Sequence, residues 1–311
     1  MNDDSPVFIA ASVRSGSTML KLMLDHHPEI VNPGECDFLF DFVTDDGRMP
    51  DTIDYKNALQ LNRIYQAKGL KLDEKLSYPE VMTSFLGQFC ADTQKLTMNV
   101  HRSFHRIPYV FPNARYIYLN RDPRDVASSC VVMGWAGHVY YGVDIWKEAA
   151  DSWERLKQGL EQKQYLEIRY EDLLDNVEDG LTEICSFLGL RYSELMLSYP
   201  ESESYDLPDR KLCYQWRTKL SKAELQLVEG KVGKDIVRNG YELSEHESRS
   251  PGLLERALLN LSHKIYRSKF QVKNYGAGHY LLTLLANRLG IVWIQRNCQR
   301  RRNEIDRKNL K

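Results

Sequence analysis

Six apolar or small residues, Val7–Ser12, run directly into Ser12-Val13-Arg14-Ser15-Gly16-Ser17-Thr18-Met19-Leu20. A short continuous apolar run suits a strand buried on both faces, and such strands belong to parallel sheets covered by helices. Met19, Leu20, Leu22, Met23 and Leu24 place a helix straight after the turn. In open α/β sheets, ligands bind where strands end and loops lead to helices. Small residues let the backbone approach a ligand, and the free N–H groups and dipole at a helix start make an anion site. Ser15, Ser17 and Thr18 add hydroxyls, and Arg14 adds a planar fork of donors. An ordinary capped helix after a strand would look the same, so the loop alone leaves phosphate binding and simple capping level. It is not the loop of a nucleoside triphosphatase, because G-x-x-x-x-G-K-[ST] is absent and Lys21 falls too far along the helix.

The rest of the chain repeats the strand-then-helix pattern. Arg115–Asn120 and Tyr165–Arg169 read as buried strands, with Leu96–Val100 as a fourth. Pro123 opens a helix through Met133, since proline suits the first helical turn. Further helical segments fall near Tyr55–Ala67, Pro79–Asp92, Val143–Lys163, Val177–Leu188 and Ser221–Asn239, while Tyr199–Pro208 reads as a loop. Alternating short strands and helices predict an α/β fold, a central parallel sheet flanked by helices in three layers. The polar break Ser244–Gly252 predicts a boundary between a domain over 1–250 and a helical C-terminal extension over 251–311.

Charge divides at the same place. Residues 251–311 hold 13 Lys/Arg and 3 Asp/Glu, against 29 and 40 in the remainder, although the whole chain sums to -1. The balance excludes a bulk basic nucleic-acid binder, so no nucleic-acid partner is expected. The segregation points instead to a separate role for the extension. Six dispersed cysteines, no two in C-x-x-C spacing, exclude a zinc ribbon and suit a reducing compartment. The acidic start, Met1–Pro6, lacks the basic region of a signal peptide. The longest apolar stretch, Tyr280–Ile294, is interrupted by Asn287 and Arg288 and falls short of the roughly 20 residues of a spanning helix. The expectation is a cytoplasmic protein, with peripheral membrane association open to it.

A second phosphate-type segment is Arg121-Asp122-Pro123-Arg124-Asp125-Val126-Ala127-Ser128-Ser129. An arginine at a strand tip and a serine two helical turns on can hold one phosphate between them. A helix start with surface charges is the plainer reading of that segment alone. Taken with the first loop, it resembles the sulfotransferases that use 3′-phosphoadenosine-5′-phosphosulfate (PAPS). Arg169-Tyr170-Glu171-Asp172-Leu173 is similar to a third hallmark of that family, and Trp216-Arg217-Thr218-Lys219-Leu220-Ser221 to a weaker fourth. The likeness covers about residues 6–243, is nearest to the bacterial-type branch akin to tyrosylprotein and carbohydrate sulfotransferases, and implies a P-loop-like fold. It implies that Arg14, Ser15, Gly16, Ser17 and Thr18 bind the 5′-phosphosulfate, Arg121 and Ser129 the 3′-phosphate, and Tyr170 the adenine. It implies PAPS as donor, no metal, and a hydroxyl-bearing acceptor such as a carbohydrate, lipid, peptide tyrosine or small alcohol.

Sulfuryl transfer resembles phosphoryl transfer, in which positioning and electrostatics dominate. Arg14 and the amides of Ser15–Thr18 would stabilise the transition-state charge. The resemblance places a general base at Glu35, in Asn32-Pro33-Gly34-Glu35-Cys36; a solvated loop carboxylate is the alternative. His101 and His105 are rival bases, because they follow the fourth strand, and the family's lysine segment there has no counterpart. Trp135, His138 and Tyr140 are candidate acceptor-pocket or packing residues, and Lys211 and Arg217 candidate phosphate contacts or surface charges. Two other functions stay open: a P-loop kinase, and a catalytically inactive nucleotide-binding adaptor for membranes or polyanions. The extension itself suits an interfacial membrane anchor, a polyanion contact, or a helical hairpin docked on the core or on a second copy of the chain, the last being favoured.

Overall fold

The structure is a computed structural model that describes residues 5–90 and 94–309. Its centre is β1 (Val7–Ala10), whose four residues are all buried. β1 pairs in parallel with β3 (Lys95–Val100) on one side and β4 (Arg115–Asn120) on the other. β2 (Ile30–Val31) and β5 (Tyr165–Arg169) complete a five-stranded sheet of order β2-β3-β1-β4-β5. Alternation along β1 separates two cores. Phe8 and Ala10 pack with Tyr116, Tyr118 and Trp153 on one face. Val7 and Ile9 pack with Leu20, Ile117 and Ile184 on the other. These are the three layers that the apolar runs predict.

The helices are α1 (Ser17–Asp25), α2 (Thr52–Leu59), α3 (Arg63–Lys68), α4 (Tyr78–Phe89), α5 (Ile107–Val110), α6 (Pro123–Val132) and α7 (Val139–Lys157). They continue as α8 (Tyr170–Asp175), α9 (Val177–Leu188), α10 (Trp216–Lys219), α11 (Lys222–Arg238), α12 (Leu253–Tyr275), α13 (Ala277–Leu289) and α14 (Val292–Asn309). Three expectations need correction. The single helix expected near Tyr55–Ala67 is two, because the Asn62 side chain accepts from Ile64 and Tyr65 N–H and starts a new helix. The apolar stretch Tyr280–Ile294 is divided between α13 and α14 by Gly290, whose φ of 66° ends a helix. The helix expected around Val143–Lys163 starts earlier and stops at Lys157. The end of the helix expected over Pro79–Asp92 lies outside the described residues.

The carboxyl end of β4 is fixed by a buried polar network. Arg124 is 1 % exposed. Its guanidinium donates to both Asp122 oxygens at 2.9 and 2.7 Å and to Glu229 Oε1 at 2.6 Å, and it lies 3.6 Å over the Trp216 ring. Trp216 Nε1–H returns to Asp122 at 2.9 Å, and Asp125 accepts the Trp216 N–H at 2.7 Å. Glu171 accepts from the Asp122 N–H and the Tyr241 hydroxyl. Most charges of the Arg121–Asp125 and Arg169–Leu173 segments therefore serve as scaffold, joining β4, α6, α8, α10 and α11.

The extension packs on this core through α12. His263 Nδ1 accepts the Gly137 N–H at 3.1 Å, and the Tyr266 hydroxyl donates to the Val131 carbonyl at 3.1 Å. A Cβ on Gly134, whose φ is 72°, would fall 2.4 Å from the Phe270 ring. α14 adds Asn303, which donates to the Leu61 carbonyl at 2.9 Å. Leu254, Leu258, Leu261 and Ile265, at helical spacing on α12, face outward and stay exposed.

Two stability outcomes are expected. Glu229→Ala leaves the Arg124 charge buried with half its partners and lowers unfolding free energy by about 3–5 kcal/mol, read from the urea midpoint. Glu171 is pushed up from 4.5 to about 7, chiefly by burial. The folded state thus holds its proton more tightly than the unfolded chain. The stability this confers is complete below the unfolded value and is lost as pH rises through about 7. Glu171→Gln should remove that slope from urea midpoints measured at acidic and at neutral pH.

Candidate active site

The loop after β1 bends sharply. Arg14 is left-handed at φ 70° and Gly16 at φ 91°. A non-glycine residue in that region is strained and is kept only where its surroundings demand it. The demand is visible: Arg14 Nε donates to Ser129 Oγ at 2.9 Å, and the Arg14 carbonyl accepts from Arg121 Nη1 at 3.0 Å. The first loop is thereby tied to both named residues of the second segment. Gly16 is required twice over, by its φ and because a Cβ there would lie 2.4 Å from the Tyr170 ring. Tyr170, 3 % exposed, is thus held between Gly16 and the Arg121 guanidinium, which lies 4.5 Å over its ring. Burial, first of all, raises its hydroxyl to about 12.

Ser17 begins α1, so its N–H and those of Thr18 and Met19 have no partner within the helix. The α1 start is anchored from below by Asn99, which donates to the Ser17 carbonyl at 2.9 Å and accepts from Asn32 at 3.2 Å. Two buried polar atoms at the site have no partner among the described residues: Ser15 Oγ and Arg121 Nε. A buried donor left unpaired is costly. Both suit an anionic ligand at this loop.

Glu35 stands beside the same sheet edge. Asn99 pairs with it in a parallel bridge, its N–H bonded to the Gly34 carbonyl and its carbonyl accepting the Cys36 N–H. Gly34 makes the turn with φ 83° and its N–H donates to Asn32 Oδ1. His101 follows β3 and is buried. Its N–H donates to Asp37 at 2.7 Å, and its Nδ1 lies 3.0 Å from the Ala11 carbonyl. A carbonyl can only accept, so Nδ1 carries the proton and Nε2 faces outward, 3.8 Å from Glu35 Oε1. The structure therefore brings the two candidate bases together. His105 is elsewhere, bonded to Ser152 and Asp45.

The other candidates divide. Trp135 lines a cleft of about 560 Å³ that also includes Glu35 and Arg102. His138 is the N-cap of α7, accepting from the Tyr140 N–H, and burial lowers its pKa. Tyr140 is buried beneath the Lys231 ammonium. Both are packing residues. Arg217 lies over Tyr214 and Trp216, and Lys211 is exposed next to Leu212, whose carbonyl holds Arg121 Nη2 at 2.7 Å. Residue patterns missed Asn99 and Asp37, although a polar residue ending the buried β3 run was a usable signal. They also missed the far wall of the cleft, which includes Tyr275, Arg302 and Asn303 of the extension. Among the described residues, no group of three or more His, Cys, Asp or Glu is arranged to hold a metal.

Comparison with known proteins agrees with this geometry. A protein-tyrosine sulfotransferase of Drosophila melanogaster is 24% identical over 215 residues, 63% of this chain and 40% of that protein. A putative protein-tyrosine sulfotransferase of Caenorhabditis briggsae is 23% identical over 64% of this chain and 71% of its own length. The chain thus spans well under half of the fly protein. Two solved structures share the fold. The sulfotransferase domain of a Synechococcus PCC 7002 olefin synthase aligns with TM-score 0.59 and 23% identity, over 78% of this chain and 98% of that one. The sulfotransferase domain from the curacin biosynthetic pathway gives 0.58 and 22%, over 77% and 99%. The profile of the sulfotransferase family matches residues 6–194. With more than half of its length matched, the chain belongs to the sulfotransferase family.

Proposed function

We propose that this chain transfers a sulfuryl group from PAPS to an acceptor hydroxyl. The observation that carries the reading is the convergence of two anion-type segments 107 residues apart, Arg121 reaching the Arg14 carbonyl while Arg14 reaches Ser129. Ser15 Oγ and Arg121 Nε, buried and unpartnered, support a ligand with phosphate oxygens. The donor's phosphosulfate would rest on the Ser15–Thr18 amides and hydroxyls, its 3′-phosphate near Arg121, Ser129 and Arg14. Tyr170 serves it as a platform beneath Arg121.

Arg14 and the α1 amides stabilise charge as it spreads over the transferring group. Glu35 takes the acceptor proton, because its carboxylate is the exposed member of the pair and opens on the cleft. His101 is a positioning residue. With Nδ1–H held by Ala11, its Nε2 stays beside Glu35, and it would accept or share the proton Glu35 acquires. Six dispersed cysteines, no two in C-x-x-C spacing, suit a reducing, cytoplasmic setting. No helix among the described residues is long and apolar enough to cross a membrane.

Thermal shift tests the reading directly. At a concentration about 100 times Kd, 3′-phosphoadenosine-5′-phosphate should stabilise the fold by about 2.7 kcal/mol, several degrees in Tm, and Arg121→Ala should abolish most of that shift. A larger shift with Mg-ATP would make the chain a kinase instead. Transfer of labelled sulfate to an extract of the native host tests the base. Glu35→Gln should lower the rate by about 10²–10⁴-fold while the nucleotide shift persists. Full transfer by Glu35→Gln with loss in His101→Gln would move the base to His101.

A further inference from the structure

The extension encloses a second cavity of about 870 Å³, lined by residues of α12, α13 and α14 together with Leu61 and Tyr141. It shares Leu61, Gln271, Gln299 and Arg302 with the cleft that contains Glu35, so the two spaces adjoin. Its charge is of one sign. Lys264, Arg267, Arg296 and Arg302 line it, and no acidic residue does. None of the four forms an ion pair among the described residues, where ion pairs are otherwise frequent. The same field acts on His279, lowered by burial and then by Arg301 and Arg302, and on His263, lowered by burial and then by Arg267. Between the cations, apolar and aromatic side chains, Tyr280, Leu284 and Val292, alternate with uncharged polar ones such as Asn260, Thr283 and Gln295.

Helix geometry relates this cavity to the surface. At about 100° per residue, α12 presents three faces. His263, Tyr266 and Phe270 meet the core. Lys264, Arg267 and Gln271 turn toward the cavity. Leu254, Leu258, Leu261 and Ile265 form the next stripe, exposed to solvent. α13 and the start of α14 expose Leu281, Leu285, Leu289 and Trp293, the last at 67 %. Soluble proteins rarely show this much apolar surface without a partner, and apolar side chains beside cations match an anionic lipid interface in both chemistry and sign. A polyanionic sugar would meet the charge and the polar lining but would leave the exposed leucine faces of α12 and α13 uncovered.

We infer that the second cavity takes the anionic, apolar-tailed body of the acceptor, and that the acceptor is an anionic lipid with a hydroxylated headgroup. The inference rests on the sulfotransferase reading. The basic residues hold the headgroup anion, the leucine-rich faces meet the acyl region, and the headgroup hydroxyl reaches Glu35 through the shared cleft. The hydroxyl oxygen forms a bond to the sulfur of PAPS as the bond from sulfur to the 5′-phosphate oxygen breaks. Its proton passes to the Glu35 carboxylate, leaving a lipid sulfate ester and 3′-phosphoadenosine-5′-phosphate.

Short-chain phosphatidylglycerol, kept below its micelle concentration, is the probe, with binding to the full chain read by calorimetry. Short-chain phosphatidylcholine tests the charge, and glycerophosphoglycerol tests the need for acyl chains. Saturable binding of the phosphatidylglycerol, weakened at least about 10-fold in the other two, is the expected result. Arg267→Gln with Arg296→Gln should weaken it by a similar factor while the thermal shift with 3′-phosphoadenosine-5′-phosphate persists, which shows the fold and donor site intact. Failure of that nucleotide shift in the parent chain would strike the sulfotransferase reading. An intact nucleotide shift with no saturable lipid binding, with equal affinity for glycerophosphoglycerol, or with an indifferent double variant would overturn this inference alone.

Discussion

A guanidinium that is 1 % exposed survives only if each of its donors is met, and Arg124 meets that condition with Asp122, Glu229, the Glu242 carbonyl and the Trp216 face. Removing one partner would leave a charge stranded in low dielectric, far costlier than the net value of the pair. The network therefore behaves as a unit with one geometry. Because Asp122 is its centre, that geometry sets where β4 stops and where α6 begins. Arg121 precedes Asp122, and Ser129 lies two turns along α6. Both are aimed by a group that touches no ligand. The loop after β1 depends on them in turn, since a left-handed Arg14 is worth its strain only while Ser129 and Arg121 hold both of its ends.

The same logic separates the carboxylates of the site. Asp122, Asp125 and Glu171 sit in or near the motif segments but are buried and spent on protein donors. Glu35 has no such engagement: its side chain is 44% exposed, and His101 Nε2 lies 3.8 Å from its Oε1. Of these four, only Glu35 opens on the cleft. His101 gains its place from the backbone rather than from ionisation. Ala11 and Asp37 fix the imidazole whatever occupies the cleft.

Legibility in the sequence followed the range of the interactions. β4 and β5 were readable to the residue: β4 is buried from Tyr116 to Asn120 and leaves a nearly continuous apolar run, and β5 keeps Leu166 and Ile168 in alternation with Glu167. β2 was not, because two residues make no pattern and its pairing with Lys95 and Leu96 exists only in the folded sheet. The break at Asn62 was readable as a cap, yet the apolar periodicity across it outweighed that signal. The loop after β1 was legible by its residue types, while the bond from Arg14 to Ser129 was not, being 115 residues long in sequence. Leu254, Leu258, Leu261 and Ile265 recur at helical spacing but do not meet the core. An apolar stripe at helical spacing suggests a docking face, but α12 docks by a mixed one, His263, Tyr266 and Phe270, against glycines that admit its approach.

Those glycines make the extension part of the site. At Gly134 and Gly137 a side chain would collide with Phe270 and His263, so the turn after α6 is shaped to receive α12. α14 then reaches across to Leu61, and the cleft at Glu35 acquires a wall carrying Arg302. Arg302 of the extension thus stands in the cleft with Glu35, while Arg14 and Arg121 meet at the loop after β1. A core with 29 cationic and 40 acidic residues would repel an anion at long range. The extension, with its positive excess, sets Arg302 in the wall of the cleft. It does so without setting a basic side chain against the buried network that holds Arg121 in place.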